Sequence, residues 1–201
     1  MNTSCLVSDC LNDYDKYRTI NIMMRLGPTL MGYKPLHIFC FKNDFKFIKQ
    51  IIDDVVCLFS KSKHVKYRLV FSQNGTIKIV IYNLDAMKGV LEDPRIRHFL
   101  SMHGYDSTSD SVVFIEQLAE HLKNNALPSE FGVFFGYPLK DVMGFIGHPS
   151  LKYVKTTAWK VYGNPRSSDK VLEAFKCAEA HVLSLCQSLP MHSVVSEIGI
   201  V

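Results

Sequence analysis

The chain offers few pairs of side chains placed to do chemistry. Cys177 and His181 are spaced i, i+4, so on a helix they share one face, a geometry that gives a metal ion two ligands. A full site needs more, and neither CxxC nor HExxH occurs in the chain. His37 and Cys40 differ by three, which on a strand sends them to opposite faces. The helical pair is therefore read as a chance neighbour pair at the surface or an interface. Nucleophile chemistry is no better marked. There is no GxSxG, and the paired carboxylates Asp53-Asp54 and Glu92-Asp93 are sequence neighbours, which on a helix do not face each other.

The densest run of glycines and aromatics is SEFGVFFGYPLKDVMGFIGH, residues 129–148. Residues 131–135 read as a buried strand, Gly136 breaks it, Tyr137-Pro138 turns the chain, and residues 139–146 start a helix. Strand, glycine and helix start is a geometry that can hold an anion on unsatisfied N–H groups. The run has neither the glycine spacing nor the lysine placement of a nucleotide loop, and Pro138 removes one donor. Gly132 and Gly136 are read instead as allowing close packing, with Phe134 and Tyr137 filling a core.

Basic residues gather between positions 42 and 78: Lys42, Lys46, Lys49, Lys61, Lys63, Lys66, Arg68 and Lys78, with Tyr67 and Tyr82 nearby. That combination is what a nucleic-acid face requires. Asp44, Asp53 and Asp54 are interleaved, however, and the net charge is only +4, so a solvated surface is the favoured reading.

The elements that must position these residues follow from periodicity. A weak helical stripe covers residues 10–26 and is expected to stop at Gly27-Pro28. Residues 36–41 read as a strand. Asn43 or Asp44 can cap a helix with a clean stripe of Ile48, Ile51, Ile52, Val55 and Phe59. Residues 67–72 and 76–82 form a hairpin around Asn74-Gly75, with Tyr67, Leu69 and Phe71 on one face together with Ile77, Ile79 and Ile81. Arg68 and Lys78 fall on the other face, which is expected to be partly wet. Residues 84–91 and 93–102 read as two helical pieces broken before Pro94. Ser109 or Asp110 starts another helix carrying Ile115, Leu118, Ala119 and Leu122. A last strand is expected at 157–162. A long helix then carries Val171, Phe175, Ala178, Val182, Leu185 and Leu189, capped by Ser167, Ser168 or Asp169. The fold class is α+β (mixed α/β): one domain over residues 10–189, with a mixed or antiparallel sheet of about five strands and helices packed on it. Residues 1–9 and 190–201 are expected to be flexible ends.

Composition is that of a globular chain: 201 residues, 47% hydrophobic and 21% charged. The N-terminal residues lack a basic start followed by an apolar run, and no stretch reaches the length of a membrane span, so a cytoplasmic protein without membrane contact is expected. In that compartment the six cysteines are read as reduced, with Cys40, Cys57 and Cys186 in the core.

Three separated stretches carry a resemblance: GPTLMGYKP (27–35), EFGVFFGYPLKDVMGFI (130–146) and WKVYGNP (159–165). In order and spacing, over residues 20–185, the chain resembles the domain of unknown function 3793 family of anaerobic Gram-positive bacteria. The resemblance implies no established activity. It implies that members often carry a cysteine just before the Pro-Thr of the first stretch and a histidine just before the glutamate of the second. Such a pair would serve as a thiol dyad or as metal or haem ligands. Here those positions are Gly27 and Ser129, so both side chains are absent, and thiol chemistry needs thiolate and base together.

The expected function is a non-catalytic binding or regulatory domain for an unknown protein or small-molecule partner. Its contact surface would be built where residues 27–35, 129–138 and 159–163 converge, because loops bordering strand ends commonly carry function. The candidate contacts are Tyr33, Lys34, Glu130, Tyr137, Trp159, Lys160 and Tyr162. The alternatives are an enzyme, thiol hydrolase-like or built on a redox cofactor of unknown identity, and a nucleic-acid-binding protein using the basic residues at 42–78.

Overall fold

A computed structural model describes residues 13–42, 46–60, 62–105, 110–123 and 127–198. The elements run α1 (Asp13–Leu30), β1 (Leu36–Lys42), α2 (Ile48–Phe59), β2 (Val65–Phe71), β3 (Thr76–Asn83), α3 (Leu84–Glu92), α4 (Pro94–Ser101) and α5 (Ser111–Lys123). A short 3-10 helix (Ser129–Val133), α6 (Leu139–Ile146), β4 (Tyr153–Thr156), β5 (Lys160–Tyr162), α7 (Arg166–Ser188) and α8 (Met191–Glu197) follow. The fold is α+β. Its strands form two small antiparallel sheets, β1-β3-β2 and β4-β5, rather than one sheet of five.

β3 is the centre of the larger sheet and is buried on both faces. Its register sets Ile77, Ile79 and Ile81 opposite Phe71, Leu69 and Tyr67 of β2, and opposite Phe41, Phe39 and His37 of β1. This face packs on Met23, Leu26 and Leu30 of α1, on the stripe of α2, and on Val182 and Cys186 of α7. The other face carries Val80 and Tyr82 and packs on Met87, Phe99, Phe114, Leu118, Phe131, Phe134 and Val142, from α3 to α6. The sheet is covered on both sides, and the face expected to be partly wet is so only at its β2 edge, where Arg68 is exposed. Lys78, at 4% exposure, donates from Nζ to the Leu122 carbonyl at the end of α5, where helix carbonyls lack intrahelical partners. Arg68 lies on the same side and pairs with Glu116 of α5 at 2.7 Å.

Other expectations are corrected. α1 does not stop at Gly27-Pro28. It passes through Pro28 to Leu30, because Met23, Leu26 and Leu30 continue one buried stripe, and the turn ends at Gly32, whose φ of 75° suits glycine. Residues 131–135 are not a strand. Phe131 and Phe134 are both fully buried, and their separation of three matches the three-residue period of the 3-10 helix and turn that they occupy. Of the expected strand at 157–162 only Lys160–Tyr162 form one, as the return strand β5 of a hairpin whose turn occupies 157–159. Beyond Pro190, α8 continues the chain and Val194 is fully buried in the first core. Asp110 Oδ1 accepts from the backbone N–H groups of Val112 and Val113 and caps α5. Asn43, Asp44, Lys61, Ser109, residues 1–9 and residues 199–201 lie outside the described residues. The cysteine reading is also revised. Cys186 is a buried free thiol, pushed up to about 11 by burial. Cys40 and Cys177 are free but exposed, while Cys57 is exposed and disulfide-bonded.

Among the described residues, no helix is long and apolar enough to cross a membrane.

Candidate functional site

The three glycine-rich stretches meet at one end of the sheet. The N–H of Leu36, the residue after the first stretch, donates to the Phe134 carbonyl of the second at 3.1 Å. Tyr137 of the second stacks on Trp159 of the third, with ring centroids 4.5 Å apart and planes at 20°. Trp159 in turn meets Phe175 of α7 edge-on.

At the centre of this junction is Asp141, in the first turn of α6 with its side chain 1% exposed. Trp159 Nε1 donates to its Oδ2 at 2.8 Å and Ser168 Oγ to the same oxygen at 2.6 Å. The Tyr162 N–H and the Lys140 ammonium donate to Oδ1 at 2.8 and 2.6 Å. Lys140 also donates to the Tyr162 carbonyl and to Ser168 Oγ. Burial alone would push the carboxyl up, but the hydrogen bonds from Lys140, Ser168, Tyr162 and Trp159 outweigh it and hold the group below its ordinary range. One carboxylate thus ties α6 to β5 and to the first turn of α7.

Beside this knot opens a groove of about 370 Å³. Its walls are Phe131, Phe135, Tyr137, Phe145, Val142 and Trp159, and its rim carries Leu127, Pro128, Ser129, Thr156, Ala158 and Lys160. The volume is in the range of small-molecule sites, and the lining is largely apolar with a few polar groups, as such sites require. A second cavity of about 330 Å³ lies between α1, β1 and α2, but no residue of the three stretches lines it.

The expected contact residues divide. Tyr137, Trp159 and Lys160 line the groove. Trp159 is only 8% exposed and spends its N–H on Asp141, so it is as much a wall as a contact. Lys160 is exposed, with its ammonium 5.5 Å from the Phe145 ring centroid. Tyr162 packs instead against the bare face of α6 at Gly144, where an added Cβ would come 2.3 Å from the Tyr162 ring. Tyr33 is exposed in the turn after α1. Lys34 places its ammonium 5.3 Å from the centroid of Phe135, itself a groove wall, and donates to His37 Nδ1 at 3.3 Å. Burial lowers Lys34 to about 8, with Arg25 adding to the effect and Glu179 opposing it. Burial, Lys34 and Arg25 together lower His37 to about 3, so its ring is neutral and accepts. Glu130 faces away from the groove: it is 7% exposed and accepts from the Tyr105 hydroxyl at 3.3 Å within the second core. Burial and the nearby Glu130 raise the Tyr105 phenol.

Sequence reasoning did not single out Asp141, Lys140, Phe135 or Phe145. The available signal was an acid in the first turn of a predicted helix, inside the most distinctive stretch. Ser168, read as a cap, serves Asp141 instead; Asn164 Oδ1 accepts from the Arg166 N–H at the start of α7. Gly27 and Ser129 have different surroundings. Gly27 is buried against α7, while Ser129 is exposed on the groove rim. Cys177 and His181 lie on the exposed face of α7, where the Cys177 thiol is 3.7 Å from Glu173. Among the described residues no group of three His, Cys, Asp or Glu side chains is placed to hold a metal ion. Of the basic residues at 42–78, Lys46 and Lys49 belong to the segment and helix covering one face of the sheet, and Lys78 and Arg68 point to the other.

These features define an α+β protein with a sheet clasped between helical layers and an aromatic groove beside a small hairpin. A family model described as protein of unknown function (DUF3793) matches residues 22–195. The chain belongs to that family. No curated protein and no solved structure matches it.

Proposed function

We propose that the protein is a non-catalytic binding domain whose ligand occupies the aromatic groove between the 3-10 helix, α6 and the β4–β5 hairpin. The observation that carries this reading is the state of the one acid in the described lining. Asp141 is engaged by four donors, which fits a structural carboxylate and leaves the rest of the wall to supply contact area. Aromatic walls give such area at low conformational cost. Regulation would follow if the ligand altered the junction of the three stretches, since the same residues build both.

The test uses the chain's only tryptophan, Trp159, as a built-in reporter. N-phenyl-1-naphthylamine is titrated and energy transfer from Trp159 is followed. Saturable 1:1 transfer is expected, and Phe145→Asp, an exposed position, should abolish it with little change in melting temperature. Transfer that never saturates, or that Phe145→Asp leaves intact, would remove the groove from consideration.

A further inference from the structure

We infer that the groove takes a flat, apolar molecule bearing one negative charge, with its ring body against Phe145 and Tyr137 and its anionic group on Lys160. This deepens the binding reading above and rests on it.

Charge complementarity argues for the anion. Among the described lining residues only Asp141 and Lys160 carry charge. The Asp141 carboxylate is matched by the Lys140 ammonium at 2.6 Å, so that pair contributes no net charge to the groove. Lys160 has no acidic partner among the described residues, and its ammonium lies over Phe145 at the rim. Its neighbour on the hairpin, Lys155, is already paired with Asp169 at 2.7 Å. One positive charge therefore remains at the mouth, and Ser129 and Thr156 bring hydroxyls to the same lining, that of Thr156 shared with the Tyr153 hydroxyl at 3.0 Å. Flatness follows from the walls. Tyr137 and Trp159 stack directly on each other at 4.5 Å, so no ring enters between them, and with Phe135 tilted at 5.8 Å from Tyr137 they offer the groove ring edges and outer faces, against which a flat ring packs offset or edge-on. A cation would meet Lys160, and a strongly polar neutral molecule would strip water from itself against an apolar wall.

The experiment compares 8-anilinonaphthalene-1-sulfonate with N-phenyl-1-naphthylamine, which share a ring body and differ by the sulfonate. At low salt the sulfonate should bind about two- to fivefold tighter, the range that one solvent-exposed charge pair supports. Lys160→Gln should erase that preference while leaving the neutral probe unchanged, and Lys160→Arg should retain it. Equal affinity of the two probes for the unaltered protein, or a Lys160→Gln variant that weakens both alike, would overturn the inference while leaving the groove reading standing. Failure of both probes to transfer energy from Trp159 would overturn the groove reading and this inference together.

Discussion

A carboxylate as deeply buried as Asp141 is costly unless every lone pair is used, and here four donors converge on it. Removing it leaves the Lys140 ammonium, the Trp159 N–H and the Tyr162 N–H short of an acceptor. Asp141→Ala is therefore expected to destabilise by about 3–5 kcal/mol, the usual cost of breaking a buried charged pair, measured by urea unfolding. The pH dependence has a defined sign. The folded carboxyl is held below its ordinary value of 3.8, so the unfolded chain binds the proton first. The stability from Asp141 is complete above that value and is lost as pH falls through the lower folded value; Asp141→Asn should lack this portion of the acid slope. The sequence could not rank this residue. Its four donors come from a neighbour, a loop tryptophan, a strand N–H and a serine 27 positions away, and no local pattern announces that convergence. Tyr137, Trp159 and Lys160 were legible because bulky or charged residues beside turns are visible as such, whereas Glu130, equally conspicuous, turned inward to Tyr105.

Elements were legible where burial follows a simple period. The stripe of α2 is a one-sided pattern and formed as expected, and the β2–β3 hairpin formed around the Asn74-Gly75 turn that marks it, although β3 is buried on both faces. The aromatic run at 131–135 was misread because a short, continuously apolar segment has no period to separate strand from helix. The passage of α1 through Pro28 depends on its partner α7, which is invisible locally. That contact also explains Gly27. A Cβ there would come 2.8 Å from the Ala178 backbone carbonyl, and backbone cannot swing aside as a side chain can. Gly27→Ala gains about 1 kcal/mol in helix propensity but forces α1 from α7 at about 1–3 kcal/mol, so a net loss of stability is expected. Gly89 in α3 provides the contrast, because an added Cβ meets nothing within 4 Å. Gly89→Ala should stabilise by about 1 kcal/mol. Thermal unfolding of the two variants should give melting temperatures shifted in opposite directions.

At the scale of the molecule, the chain divides its two cores by sequence. The two ends, α1, α2, α7 and α8, cover one face of the sheet, and the middle, α3 to α6, covers the other. β3 belongs to both, since Ile79 and Val80 are adjacent in sequence and point into different cores. The Asp141 knot is a second link, because it joins α6 of the middle layer to Ser168 of α7 in the outer one. A third, smaller cluster of Trp159, Val161 and Phe175 packs against Tyr137 beside the knot, and with these links holding the layers together one cooperative transition is expected despite three separate apolar clusters. Ile79→Ala in the first core and Leu118→Ala in the second should each cost about 2–5 kcal/mol, both sites being at most 1% exposed. The discriminating observation is how the probes respond. Trp159 emission reports the groove and hairpin, while far-ultraviolet circular dichroism reports all the helices. If β3 and the Asp141 knot couple the layers, either substitution moves both transitions to the same lower midpoint in urea. Two separated transitions, with Ile79→Ala shifting one and Leu118→Ala the other, would mean that the layers melt independently and that the groove depends on only one of them.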